Sequence, residues 1–250
     1  MHLKHLSVEL GFQYFPRGTH HGLNANIEFA LGKSKGEFVS ILASDDWIVP
    51  DKIAEQIAIL GESGEDAIYG TSFLLFDDGR NEPVDLGNVE KAFANGTALD
   101  LFYVDGSHAP LLQSALIRRK PFLDLIAERA RFKSDDWVML IRLVERHKVA
   151  FRNRPWFHYR QHGANTYRSY WKTLPMRAEI LSEVTPEELR PLGFSNMFYD
   201  QAMFLYMDGK KGLALRFLLA SVALRPSTAL RTMGNLGWRT LRQAARKRRR

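Results

Sequence analysis

The chain has 250 residues, 45% of them apolar and 25% charged, with 18 glycines and 10 prolines, enough apolar material for a full hydrophobic core. It contains no cysteine, which excludes disulfides, thiolate metal sites, iron–sulfur clusters and cysteine nucleophiles and suits a reducing cytoplasm. The formal net charge of +7 belongs to the end of the chain: 12 Lys and Arg and no acidic residue stand between Gly209 and Arg250, and the rest carries a net of −5. A mildly acidic body argues against nucleic-acid recognition by the main fold.

In chain order, Asn24 to Leu31 (NANIEFAL) has helical spacing, with Ile27, Ala30 and Leu31 on one side. The opening segment mixes His and Lys without a long apolar run, so no secretory leader is legible. Glu37 to Ala43 (EFVSILA) reads as a buried strand running into the loop Ser44-Asp45-Asp46. Pro50 suits the first turn of a helix, DKIAEQIAIL, with Ile53, Ile57 and Leu60 inward. Ala67 to Phe76 reads as one or two strands closed by the turn Asp77-Asp78-Gly79. A helix is expected around Lys91 to Phe102, a strand over Leu111 to Ile117, and a basic turn at Arg118-Arg119-Lys120-Pro121.

Asp136 to His147 (DWVMLIRLVERH) has a strong helical pattern with Val138, Ile141 and Val144 inward. Val149 to Arg152 and Trp156 to Arg160 read as two short strands parted by Pro155. From Pro186 the pattern is helical, broken at Pro226. Gly212 to Leu224 is too short, and carries Arg216, so it reads as a buried or interfacial helix rather than a membrane span.

Three segments suggest chemistry. Asp45 and Asp46 follow a strand, the place where open α/β sheets bind ligands. Paired carboxylates there are hard oxygen ligands for Mg²⁺ or Mn²⁺, or else they close a turn and cap the next helix. Ser134-Asp135-Asp136-Trp137 opens the strong helix, where a carboxylate serves either as a cap or as a general base. In Tyr159-Arg160-Gln161-His162, Arg160 could hold a phosphate, and His162 a metal or an acceptor, or be an ordinary loop histidine.

Taken in order, GLNANIEFALGKSKGEFVSILASDDWIVPDKI, SDDWVMLIRLVERH and PWFHYRQHGANT resemble the family 2 glycosyltransferases of the GT-A fold, over about residues 20 to 170. The resemblance implies an α/β fold: an incomplete GT-A (Rossmann-like) mixed sheet with flanking helices over 1–175, and a helical C-terminal extension with a basic tail over 176–250. It implies that Asp45, as the last aspartate of the D-x-D pattern, holds a Mg²⁺ or Mn²⁺ on the donor diphosphate, with Asp46 beside it. Asp136 takes the place of the base that deprotonates the acceptor hydroxyl, Asp135 that of the preceding acid, and Gly22, Asn24 and Asn26 line the donor pocket. Arg160 and His162 match the closing segment. The activity implied is inverting transfer of a sugar from a nucleotide-sugar donor to a glycan or lipid-linked acceptor, as in bacterial surface-polysaccharide synthesis.

Two departures accompany the likeness. Ala43 stands at the first position of the D-x-D pattern. The family's opening strand and βαβ crossover, a unit of about 30 residues or more, do not fit ahead of His20. The expectation is therefore a transferase lacking its nucleotide-binding opening, either impaired by truncation or completed by another chain; the alternative is a non-catalytic, membrane-associated remnant that only binds. Ser227 to Arg250 places Leu230, Leu236, Trp238 and Leu241 among arginines, a pattern that suits either an anionic membrane surface on the cytoplasmic side or a helix packed on the body with a solvated tail.

Overall fold

The computed structural model describes residues 2–16, 18–19, 23–106, 109–131, 135–162, 165 and 170–227. The chain divides into two compact units, Met1–Lys35 and Gly36–Arg250. In the first, α1 (His2–Glu9) and α2 (Leu23–Lys33) are helical. Ile27 and Leu31 are the buried positions of α2, whereas Ala30, expected beside them, is exposed. Phe15 meets Phe29 edge to face at 5.8 Å.

The second unit is built on a six-stranded mixed sheet in the order β1-β5-β3-β6-β2, with β4 on β3. Its strands are β1 (Phe38–Val39), β2 (Trp47–Ile48), β3 (Ala67–Phe76), β4 (Asn81–Pro83), β5 (Leu116–Arg118) and β6 (Val149–Gln161). β3 and β6 run parallel from Ala67↔Val149 to Phe76↔Gln161, and the other pairs are antiparallel. This spine carries the core cluster Leu60, Ile68, Leu116, Ala150 and Trp156. The mixed sheet with flanking helices and a helical C-terminal region is the architecture the sequence implied.

Several local expectations are corrected. The strand expected over residues 37–43 is a ladder of two residues, because its partner β5 is only three residues long. Beyond it the Ser40 hydroxyl, not a strand bond, reaches back to the Ala115 carbonyl at 3.1 Å. Leu111–Ile117 is a 3-10 turn, Leu112–Ser114, followed by β5. The expected basic turn opens α6 (Arg119–Arg131): Pro121 lies in its first helical turn, where its missing N–H has no intrahelical partner to lose.

The single helix expected at 91–102 is two, α4 (Gly87–Ala94) and α5 (Ala98–Val104), parted at Asn95-Gly96, where Gly96 adopts φ +71. The two short strands around Pro155 are one. The β3–β6 register slips at Thr71↔Pro155, and this irregularity accommodates a residue without an N–H. Opposite it stands Gly70, where an added Cβ would lie 2.3 Å from Trp156 Cε3.

Of the inward residues expected on α3 (Lys52–Ser63), Leu60 is buried and Ile53 packs against the core, but Ile57 points out and two polar residues share the inner face. Lys52, Gln56 and Leu60 are buried, while Ile57 is 44% exposed. In α7 (Asp135–Arg146), Trp137 through Ile141 and Leu143 are buried, and Val144 is half-buried.

The C-terminal region comprises α8 (Tyr170–Glu183), which contains Pro175 and starts ahead of the helical extension expected from 176, α9 (Arg190–Met207) and α10 (Lys211–Leu224). α9 and α10 pack closely through small residues: Ser195 Oγ donates to the Ser221 carbonyl at 3.0 Å and Ser221 Oγ to the Ser195 carbonyl at 2.7 Å. The three last carbonyls of α5, which have no helical partner of their own, tie these layers together. Phe102 O accepts from Trp137 Nε1 at 2.7 Å, Tyr103 O from Thr185 Oγ1 at 2.7 Å, and Val104 O from Asn196 Nδ2 at 3.2 Å. Among the described residues no helix is long and apolar enough to cross a membrane. The basic segment from Thr228 onward lies outside the described residues.

Candidate active site

Asp45 and Asp46 leave the sheet at a turn just ahead of β2, and β2 pairs with β6 through Trp47↔His158 and Ile48↔Phe157. That pairing carries the acidic loop to the end of β6, where Arg160 and His162 stand. His162 Nε2 donates to Asp45 Oδ2 at 2.9 Å, and the Arg160 backbone N–H donates to Asp46 Oδ1 at 3.0 Å. The loop after β6 is stapled by buried Asn165. Its Oδ1 accepts from the His162 N–H at 2.6 Å, and its Nδ2 donates to the Arg160 carbonyl at 3.0 Å. The Arg160 guanidinium lies on the exposed side, 3.9 Å from Asp77.

The two carboxylates are tuned in opposite directions. The His162 hydrogen bond holds the Asp45 carboxyl below the usual carboxylate range. Burial pushes Asp46 up, partly offset by the Arg160 N–H. Asp46 is 7% exposed, and its Oδ2 has no hydrogen-bond partner among the described residues.

Asp136 comes from a different layer. It stands in the first turn of α7, fixed by its neighbour Trp137, whose indole lies against Gly106 so closely that a Cβ there would be 2.7 Å from Trp137 Cδ2. Asp136 Oδ2 accepts from the Leu112 backbone N–H at 3.4 Å. The next residue, Gln113, has a minor lowering influence on the Asp46 carboxyl. The 3-10 turn Leu112–Ser114 touches Asp136 at its first residue.

The structure thus brings together Asp45, Asp46, Arg160 and His162, while Asp136 meets the turn Leu112–Ser114. Asp135 opens α7. Asn24 and Asn26 lie on α2, in the first unit, with Asn26 exposed; Gly22 lies outside the described residues. Sequence reading missed Lys52, Gln113 and Asn165. Lys52 was hidden by its charge, which argues for solvent, and Gln113 by a segment that read as strand.

No group of three or more His, Asp or Glu among the described residues forms a closed metal cage. The donor set fits an open cation site instead: the Asp45 carboxylate and the orphaned Asp46 Oδ2 are hard oxygens. Mg²⁺-type sites commonly take only one or two carboxylates, the remainder coming from water and phosphate.

Two crystal structures of S. aureus TarS residues 1–349 share the fold. The one in complex with UDP-GlcNAc has a TM-score of 0.51 at 14% identity, covering 89% of this chain and 67% of that one. The other has a TM-score of 0.52 at 15% identity, covering 90% and 68%. No curated protein matches the chain. The family model described as Glycosyl transferase family 2 matches residues 3–125, a stretch that includes Asp45 and Asp46, while Asp136, Arg160 and His162 lie beyond it. That match makes residues 3–125 similar to glycosyl transferase family 2, and the mixed sheet with the acidic loop at the end of its strands agrees with it.

Proposed function

We propose that the chain transfers a sugar from a nucleotide-sugar donor to a hydroxyl of a glycan or lipid-linked acceptor, with inversion at the anomeric carbon. The observation that carries this reading is the acidic loop held at the end of β6, where His162 meets Asp45 and the Arg160 N–H meets Asp46. Asp136 is the general base: it stands at the surface of the turn, half-buried, and accepts the acceptor's hydroxyl proton as the oxygen attacks the sugar C1. Asp45, kept ionised by His162, and Asp46 hold the donor end. A divalent cation, Mg²⁺ or Mn²⁺, would be held by Asp45 and Asp46 Oδ2 and would neutralise charge on the leaving diphosphate. Arg160, exposed at the rim, meets the diphosphate oxygens.

In this reading Asp135, beside the base, contacts the acceptor. The transferase domain extends to about residue 175, followed by the helical extension. TarS was solved with UDP-GlcNAc, so that compound is the first donor to try.

The extension serves an anionic membrane surface on the cytoplasmic side. Two features support this: α10 leaves Leu215 and Leu219 exposed at 56% and 60%, and every charged residue from Gly209 to Arg250 is basic. The test is turnover of UDP-GlcNAc and a panel of nucleotide sugars with Mn²⁺, monitored as nucleoside diphosphate release. Release that depends on Asp45 and Asp136 supports transfer. The absence both of release and of any heat of nucleotide-sugar binding favours the non-catalytic remnant.

A further inference from the structure

We infer that Lys52 is a positioning residue of this site, its ammonium fixing the turn Leu112–Ser114 that meets Asp136. The role in catalysis rests on the transfer reading above; the fixing of the turn does not.

Three consecutive carbonyls leave this turn without helical or strand partners of their own, and each takes a side-chain donor from another element. Lys52 Nζ donates to the Gln113 carbonyl at 2.7 Å, Gln56 Nε2 to the Ser114 carbonyl at 2.8 Å, and Ser40 Oγ to the Ala115 carbonyl at 3.1 Å. Lys52 also donates to Ser40 Oγ at 2.8 Å, so one ammonium orders two of the three contacts. Lys52 and Gln56 are one helical turn apart on the inner face of α3, both with 0% exposure. Buried carbonyls left unmatched are costly, which explains why Lys52 and Gln56 share the inner face of α3 with Leu60.

A lysine is an expensive choice for the task. Burial lowers its pKa to about 8, and it sits in the first turn of a helix, where the dipole disfavours a cation. Gln56 satisfies the adjacent carbonyl with a neutral amide. What the lysine adds is reach: its four-carbon stem carries a donor from the start of α3 to both Ser40 and Gln113. It thereby locks the chain just before the acidic loop to the turn that faces Asp136. A displaced Gln113 carries Leu112 with it, and the Leu112 N–H is the contact that orients Asp136. Since misplacement of a base mainly slows the chemical step, the effect falls on kcat.

The experiment uses the full chain with Lys52→Met, Lys52→Arg and Ser40→Ala. It measures amide hydrogen exchange at Ser114 and Ala115, with Ile68 in β3 as the control, and the kinetics of UDP-GlcNAc turnover with Mn²⁺. For Lys52→Met the turn amides exchange about tenfold faster, the effect of losing roughly one hydrogen bond, while Ile68 is unchanged. In the same variant kcat falls about tenfold or more with donor KM within about threefold, and Lys52→Arg recovers part of both. Turn amides that exchange at the wild-type rate, or a loosened turn with full kcat, overturn the assignment. Where Lys52→Met fails to fold, Ser40→Ala decides: selective loosening of Ala115 with lowered kcat supports the assignment, and wild-type behaviour overturns it. Wild-type protein that turns over no nucleotide sugar counts against transfer, while the exchange data still show whether Lys52 holds the turn.

Discussion

His162 Nε2 meets Asp45 Oδ2 at 2.9 Å across 117 residues of sequence, joining the loop after the first strand to the end of the last one. Both side chains remain partly exposed, at 28% and 40%. Such a pair contributes less than about 1 kcal/mol to stability, so its replacement separates function from folding. Asp45→Ala is expected to lower kcat/KM for the nucleotide sugar by about a hundredfold or more, and His162→Ala by about tenfold. Thermal melts of both variants should stay close to wild type; a large loss of stability would give the pair a structural role instead.

Asp136→Asn keeps the shape of the side chain and an oxygen for the Leu112 N–H, but removes the capacity to take a proton. We expect kcat to fall by about 10²- to 10⁴-fold with an unchanged circular dichroism spectrum. An Asn variant with wild-type turnover would remove Asp136 from the chemistry.

Gly70 has no room for a side chain, since a Cβ would stand 2.3 Å from Trp156 Cε3 and 2.7 Å from the Arg154 carbonyl. Trp156 is a fully buried member of the core beneath the sheet. Gly70→Ala should therefore destabilise the fold by about 1–3 kcal/mol or more, read as a lowered urea midpoint. Gly64→Ala, by contrast, meets no atom within 4 Å and is opposed only by its φ of +71.

The pKa of Lys52, about 8 in the folded chain against an ordinary 10.5, fixes the sign of a pH effect. Between those values the unfolded chain holds a proton that the folded one has released, so this group's contribution to stability rises with pH across that window. Below pH 8 the full cost of burying the ammonium is present, on the order of 3 kcal/mol. Urea unfolding at pH 7, 9 and 10.5 should show the wild type gaining stability relative to Lys52→Met as pH rises. A constant difference would mean that Lys52 titrates like a surface lysine.

The exposed leucines of α10 and the basic end of the chain make separate predictions for membrane binding. The full chain should cosediment with vesicles containing anionic lipid and not with neutral ones. A double variant, Leu215→Glu with Leu219→Glu, should weaken the salt-resistant part of that binding. Equal binding to neutral and anionic vesicles would contradict the electrostatic component.

The sequence by itself determined what local order can encode. Asp45 and Asp46 follow an apolar run, Asp136 and Trp137 open a strong helix, and Arg160 and His162 end a strand. Each of these follows from periodicity and turn chemistry within a few residues. The family likeness was legible for the same reason, because its motifs are short and stand in order. Tertiary structure alone decided which of them meet. Asp45 joins His162 because β2 pairs with β6 in one register, and a shift of one residue would turn Trp47 and Ile48 to opposite faces. On α3, Leu60 and Ile53 were legible as inward but Lys52 was not, because hydrophobicity ranks Ile57 above it. The carbonyls of residues 113–115 reverse that order, since unmatched buried carbonyls cost more than an exposed isoleucine.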